Sequence, residues 1–344
     1  MKAARLHRYG EPFEVESVDE PRLSDPHDVV VRVAACGLCR TDIHIIDGML
    51  EPFGVRLPYV PGHETAGWVD QAGPEVRAVR PGDAVLVNPN DGCGLCRPCR
   101  LGLDTYCESP RMPGFTADGG FAEYMRASER ALVRLPAGVS PADMAPHADA
   151  GLAAYRAVKK AACTLGAGDS AVVLGVGGLG HIAVQLLKHL TPADVIAVDV
   201  SEEALKLAHE LGADHTVNGG EAAVEAVREI SGGGSHVVVD FVGDGDTPRQ
   251  AIGMLRRGGS YLMVGYGGQI GVPAVTIVAN ELTIVGNLVG THAELQELVW
   301  LAAADKVSLH TRRYPLDEIN QAVEHLRSGR LVGRAVILTG ADYP

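Results

Sequence analysis

Ala171-Val172-Val173-Leu174-Gly175-Val176-Gly177-Gly178-Leu179-Gly180 is the stretch that decides the fold of this chain. Four consecutive apolar residues, two of them β-branched, read as a strand buried on both faces. A glycine turn follows, and the residues from Leu179 to Leu190 continue as a helix. Each glycine has its own reason to be there. Gly175 permits the tight turn, Gly177 lets backbone approach a pyrophosphate, and Gly180 lets the helix pack closely on its strand. With Gly178 and Leu179 the turn delivers the unpaired N–H groups of the helix start to the phosphates. Among 42 glycines a GxGxxG pattern alone says little, so its place between strand and helix carries the weight.

The next strand, Asp194 to Asp199, ends in an acid 19 positions after Gly180, close to the ~20 expected of a ribose-binding carboxylate. Such an acid accepts hydrogen bonds from ribose hydroxyls and repels a 2′-phosphate, which favours NAD over NADP. The plainer alternative is that Asp199 only caps the following helix. Ser201 reads as that helix's N-cap, with Glu202 and Glu203 in the first turn and Gly212 at its stop. The unit recurs, since His236 to Asp240 and Tyr261 to Val264 are further apolar strands with a helical segment between them. Strands alternating with helices imply an α/β, doubly wound parallel sheet.

Residues 1 to about 150 have another texture. Short runs such as Val29 to Val33, Ala84 to Val87 and Phe121 to Met125 stand between Pro and Gly turns, as in a mostly β domain. From about residue 288 the pattern predicts a helix over Ala293 to Asp305, another over Asp317 to Ser328, and a strand over Ala335 to Leu338. A length of 344 residues fits two domains at ~150 residues each. With 46% apolar and 21% charged residues, disorder and stapled miniproteins are excluded. Net charge is −13, which argues against a nucleic-acid partner. The first residues lack the apolar core of a signal peptide. The uncharged stretches Ala171 to Leu187 and Tyr261 to Asn280 are interrupted by glycines, the second also by Pro273, so no membrane span is expected. A soluble cytoplasmic protein is the resulting expectation.

Seven cysteines are unevenly placed. Cys93-x2-Cys96-x2-Cys99-x7-Cys107 offers four thiolates in one loop, the donor set of a closed, structural tetrahedral zinc site. Binding of that kind contributes on the order of 10 kcal/mol to ordering such a loop. Free or disulfide-linked cysteines are the alternative, disfavoured in a chain without an export signal. Arg97, Arg100, Arg111 and Tyr106 are too sparse for a nucleic-acid zinc ribbon. A second set, Cys39-Arg40-Thr41-Asp42-Ile43-His44 with Gly62-His63-Glu64, puts soft and borderline metal ligands on two segments.

With these motifs the chain resembles the zinc-dependent medium-chain alcohol dehydrogenases over nearly its whole length. The Gly62-His63-Glu64 signature continues through Gly67, Gly73, Val76 and Gly82-Asp83, and the cysteine lobe and glycine turn follow in family order. The segment Ala148-Asp149-Ala150-Gly151-Leu152 is most similar to the microbial branch typified by thermophilic archaeal alcohol dehydrogenases. The resemblance implies a GroES-like β-rich catalytic domain over 1–150, a Rossmann NAD-binding domain over 151–287, and a segment 288–344 returning to the first. It implies two zinc ions per chain, one structural and one catalytic. Cys39 and His63 would bind the catalytic ion, with Asp149 as third ligand where many relatives carry cysteine. A helix-capping role for Asp149, or His147 as the ligand, are the alternatives.

The remaining implied roles follow. Asp42 orients the His63 ring and Glu64 acts just outside the ligands. Zinc stabilises the alkoxide, while Thr41 receives the alcohol proton and relays it along the nicotinamide ribose to His44, leaving hydride for NAD. Val242, Gly265 and, at the pyrophosphate, Arg334 are implied on the coenzyme side. Cys36 and Cys163 read as packing residues. The implied substrate is a small primary or secondary alcohol, or the aldehyde or ketone in reverse, with a polyol or threonine as the other choice. A non-catalytic NAD binder is disfavoured by the intact set Cys39, Thr41, His44 and His63. The family's usual microbial state is a homotetramer, for which Thr283-Ile284-Val285 would serve as a pairing edge.

Overall fold

The computed structural model describes residues 1–340. The described residues form two compact units: Met1–Leu152 with Thr291–Ala303 and 311–340, and Ala153–Gly290 with Ala304–His310.

In the first unit the strand Asp28–Leu38 is the spine, almost wholly buried along its 11 residues. Glu64–Ala72 and Tyr124–Ser128 pair with it antiparallel, and Ala84–Val87 and Leu132–Arg134 extend the sheet. On the other edge Arg334–Leu338 pairs antiparallel, with Ile337 opposite Cys36, and Thr311–Pro315 runs parallel to it. The late part of the chain therefore completes a sheet begun by the early part. The pleat divides the spine between two cores. Val29, Val31 and Val33 pack with Val69, Val85 and Val87, whereas Cys36 and Leu38 pack with Phe121, Tyr314 and Ile337.

Two expectations shift here. The predicted strand Phe121 to Met125 begins only at Tyr124. Phe121 and Ala122 are instead buried on single contacts, Phe121 giving its N–H to Pro61 and its carbonyl to Ala4, so no ladder forms. The helix predicted over Asp317 to Ser328 starts as a 3-10 turn, Leu316–Glu318, before Ile319–Arg327.

The second unit is a six-stranded parallel sheet. Ser170–Leu174 lies inside it, flanked on one side by Asp194–Asp199 and then His215–Asn218. Ser235–Asp240, Leu255–Met263 and Thr283–Gly286 follow on the other. Val172, Leu174, Ile196, Val198 and Val238 pack against Val227, Ala251 and Ile252. The alternate residues Val173, Ala197 and Val239 are buried too, so both faces of the strands are covered. Strand order reverses between Ser170–Leu174 and Ser235–Asp240, the point where such sheets open a crevice beyond their carboxyl ends. No described helix is long and apolar enough to cross a membrane.

Candidate functional site

Cys39 directly follows the spine strand Asp28–Leu38 and is the N-cap of the helix Arg40–Ile46. Asp42, fully buried three residues on, accepts the Cys39 N–H at 2.8 Å through Oδ2. Its other oxygen, Oδ1, lies 3.4 Å from His63 Nδ1. Thr41 Oγ1 is 3.5 Å from Cys39 Sγ, and His44 follows Thr41 by three positions, on the same face of the helix. His63 immediately precedes the strand Glu64–Ala72, which pairs with the spine.

Asp149 joins them from the end of the turn Ala145–Ala148. Its Oδ2 lies 3.5 Å from Cys39 Sγ and 3.4 Å from His63 Nε2. Four donors about a tetrahedral zinc bonded at ~2.0–2.3 Å would be ~3.3–3.8 Å apart, so these separations suit a shared ion. His63 Nε2, the ring nitrogen that faces Asp149, is buried with no hydrogen bond, a costly state for an imidazole without a metal. Burial alone would lower the His63 pKa. Asp42 on one side and Asp149 on the other outweigh it and hold it well above the ordinary value. Glu64 completes the ligand-bearing group. Its Oε1 accepts the Ala150 N–H at 3.1 Å, and its carboxylate is bridged by Arg334, whose Nε reaches Oε2 at 3.0 Å. Arg334 is thus buried in the first unit with its guanidinium engaged by Glu64, a contact the sequence did not announce. His147 is buried nearby, with its Nδ1 turned to the Gly151 backbone.

The four lobe cysteines bring their sulfurs within 4.8 Å of one another. Cys96 Sγ and Cys107 Sγ are 4.0 Å apart, near the ~3.8 Å edge of a tetrathiolate zinc shell. The thiols differ before any metal is considered. Backbone N–H groups of Cys96 and Leu95 pull Cys93 down to about 6, and burial pushes Cys99 up to about 12.

In the second unit the glycine turn has the geometry expected of a dinucleotide cradle. Gly175 has φ +86°, and a Cβ on Gly180 would lie 1.9 Å from the Gly175 carbonyl oxygen. At Gly177 a Cβ would meet no protein atom, so that backbone is open to a ligand. Asp199 is shared between two tasks inside the protein, its Oδ2 accepting the Val176 N–H at 2.6 Å and its Oδ1 the Ser201 N–H at 2.9 Å. Ser201 is the N-cap the sequence predicts, its Oγ accepting from Ala204. Val242 overhangs Gly175, and Gly265 presses on the Val242–Gly243 backbone.

Two supporting residues here escape the sequence. Buried Asp240 accepts N–H bonds from Val242 and Gly243 at 2.8 and 2.9 Å, and Tyr261 Oη donates to it at 2.9 Å. His181 donates from Nδ1 to the Gly177 carbonyl at 2.9 Å and accepts the His310 N–H at Nε2, which fixes its neutral tautomer. An acid closing an apolar strand was the available signal for Asp240, but nothing in spacing marks His181.

The fold class is therefore a GroES-like, β-rich unit combined with a Rossmann doubly wound sheet. Residues 25–137 match the family model of the alcohol dehydrogenase GroES-like domain, and residues 178–304 that of the zinc-binding dehydrogenase domain. An alcohol dehydrogenase of Geobacillus stearothermophilus is 36% identical, the match covering 98% of this chain and 99% of the relative. An NAD-dependent alcohol dehydrogenase of Sulfurisphaera tokodaii is 35% identical over 98% of this chain and all of its own length. The crystal structure of an alcohol dehydrogenase from the archaeon Aeropyrum pernix is similar at a TM-score of 0.96 with 46% identity, covering 98% of this chain and 100% of that one. The chain belongs to the zinc-dependent medium-chain alcohol dehydrogenase family.

Proposed function

We propose that this protein is an NAD-dependent alcohol dehydrogenase, converting a primary or secondary alcohol to an aldehyde or ketone and the reverse. The observation that carries the reading is the convergence of Cys39, His63 and Asp149 at the separations of one tetrahedral ion. Zinc held by these three residues would supply a Lewis acid for the alcohol oxygen, a second zinc held by Cys93, Cys96, Cys99 and Cys107 would be structural, and NAD held at the glycine turn would supply the hydride acceptor.

The protein's own groups do the rest. Thr41 takes the hydroxyl proton of the alcohol and hands it on toward His44, one turn along the same helix. Asp42 holds the Cys39 backbone and steers the His63 ring, and Glu64, paired with Arg334, fixes the backbone beside Asp149. Gly175, Gly177, Gly178, Leu179 and Gly180 receive the pyrophosphate, with Val242 and Gly265 shaping the same mouth and Asp199 turned to the adenosine ribose. We assign the enzyme to the cytoplasm, where thiols stay reduced. We also assign it a homotetrameric state, in keeping with the exposed Val275 and Val278 next to an edge strand.

The test is a panel of simple alcohols, polyols and threonine with NAD or NADP, alongside zinc analysis. NADH formation from simple alcohols and two zinc ions per chain are expected. A clear preference for a polyol or threonine would move the substrate class. Failure of every alcohol to reduce NAD would overturn the reading.

A further inference from the structure

Asp104 sits between two of the lobe cysteines, Cys99 and Cys107, in the 3-10 turn Asp104–Tyr106. Its own carbonyl accepts the Cys107 N–H at 2.9 Å, so the lobe fixes its backbone. Its carboxylate reaches elsewhere. Asp104, only 8% exposed, accepts the His292 N–H at 2.9 Å through Oδ2, across 188 positions of sequence. His292 opens the helix His292–Ala303, so a carboxylate meets the end of a helix where negative charge is favoured. That end is already capped. Thr291 Oγ1 accepts the Glu294 N–H at 3.2 Å, and Glu294 Oε2 accepts the Thr291 N–H at 2.8 Å. Asp104 therefore adds an attachment to a helix start that has its own cap.

The far contact of the helix is equally specific. Leu298 is fully buried, and a Cβ built on Gly151 would lie 2.9 Å from Leu298 Cδ2. The helix thus presses on the backbone two residues after Asp149. Between them, Ala150 is pinned by its bond to Glu64. One continuous path runs from the cysteine lobe through Asp104 and the helix to the segment that carries Asp149.

We propose that Asp104 is a positioning residue that ties the helix His292–Ala303 to the structural metal lobe and so keeps Asp149 in register with Cys39 and His63. The inference rests on the reading that both clusters bind zinc. The lobe then has a second task beyond local stability, because its order is passed to the metal site where the alcohol reacts.

The experiment compares zinc-loaded wild-type enzyme with Asp104→Ala and Asp104→Asn. Hydrogen exchange is followed over residues 292–303, and zinc per chain and activity are followed during a chelator challenge. Loss of a buried charge-assisted bond should speed exchange at the helix start about tenfold in Asp104→Ala. Loss of outer support should speed release of the activity-bearing zinc by about tenfold or more. Asp104→Asn, which keeps an accepting oxygen, should restore part of both. Unchanged exchange, or faster exchange with zinc released at the wild-type rate, overturns the proposal. So does preferential loss of the lobe zinc, visible as four newly reactive thiols while activity persists. If Asp104→Ala does not fold, Leu298→Val tests the other end: faster zinc release with His292 exchange unchanged supports the path, and wild-type release breaks it. Fewer than two zinc ions per wild-type chain would fell the underlying reading and this inference together, whereas two ions without coupling fells the inference alone.

Discussion

Asp149 brings a carboxylate, a harder donor than a thiolate, to the cluster with Cys39 and His63. Its Oδ2 is nonetheless the atom that closes the triangle with Cys39 and His63. Replacing it removes a donor and leaves His63 Nε2 buried with one neighbour fewer. Asp149→Ala is expected to retain the lobe zinc, lose the other ion, and drop turnover by at least about 100-fold, since losing even an outer partner costs roughly 10–100-fold. Zinc analysis beside steady-state kinetics checks this, and a variant with two ions and normal turnover would exclude Asp149 as a ligand. Asp199 poses a different problem, because the carboxylate proposed to meet the ribose also holds its own loop. Asp199→Asn keeps one accepting oxygen but loses the charge. KM for NAD should rise about tenfold with kcat nearly unchanged, as for loss of a charged hydrogen bond made before chemistry, and NADP should be rejected less strongly. A fall in kcat with constant KM would instead mean that the loop, held through Val176 and Ser201, had been disturbed.

At the scale of elements, the helix Gly180–Leu190 is moored to the start of the strand Asp194–Asp199 through Asp214. Lys188 Nζ donates to both Asp214 oxygens at 2.9 and 2.8 Å, and Val195 N–H to Oδ2 at 2.8 Å. Partial burial alone would raise the Asp214 pKa, but Lys188 and the Val195 N–H outweigh it and hold the carboxyl below its usual value. A depressed carboxylate stabilises the fold above its unfolded pKa of about 3.9, and that stability is lost as pH falls through the folded value. Wild-type protein should therefore be more stable than Asp214→Asn near neutrality, with the gap closing below about pH 4. Denaturant unfolding at several pH values measures it, and a gap independent of pH would refute the ion-pair account. The contrast between such contacts and the strands explains what could be read from residues alone. Apolar runs and the glycine turn are local patterns, so the parallel sheet, the turn and Ser201 were legible. The metal-ligand motifs were legible because family spacing marks Cys39, His63 and the lobe. Glu64 with Arg334, His181 with Gly177, and Asp104 with His292 are pairs whose partners meet only after folding. Phe121 was misread because an apolar pattern records burial and not whether a ladder forms.

On the scale of the whole molecule, the surface of the second unit raises the question of assembly. The strand Thr283–Gly286 closes the parallel sheet on one side with nothing described beyond it, and its outer backbone groups are a template for another strand. The helix Ala274–Ala279 leads directly to it, joined by the Leu282 N–H bond to Ile277. On that helix Val275 is 69% and Val278 73% exposed, and Leu288 just past the strand is 60% exposed. Adjacent exposed apolar side chains beside an open sheet edge favour self-association through a two-fold interface. Charging the helix separates assembly from folding, because exposed positions usually tolerate substitution within about 0.5 kcal/mol. The double variant Val275→Asp/Val278→Asp should unfold at nearly the wild-type denaturant concentration yet sediment as a smaller species than the tetramer. A tetramer that persists unchanged would place its contacts on another face, and a wild-type monomer would remove the homotetramer altogether.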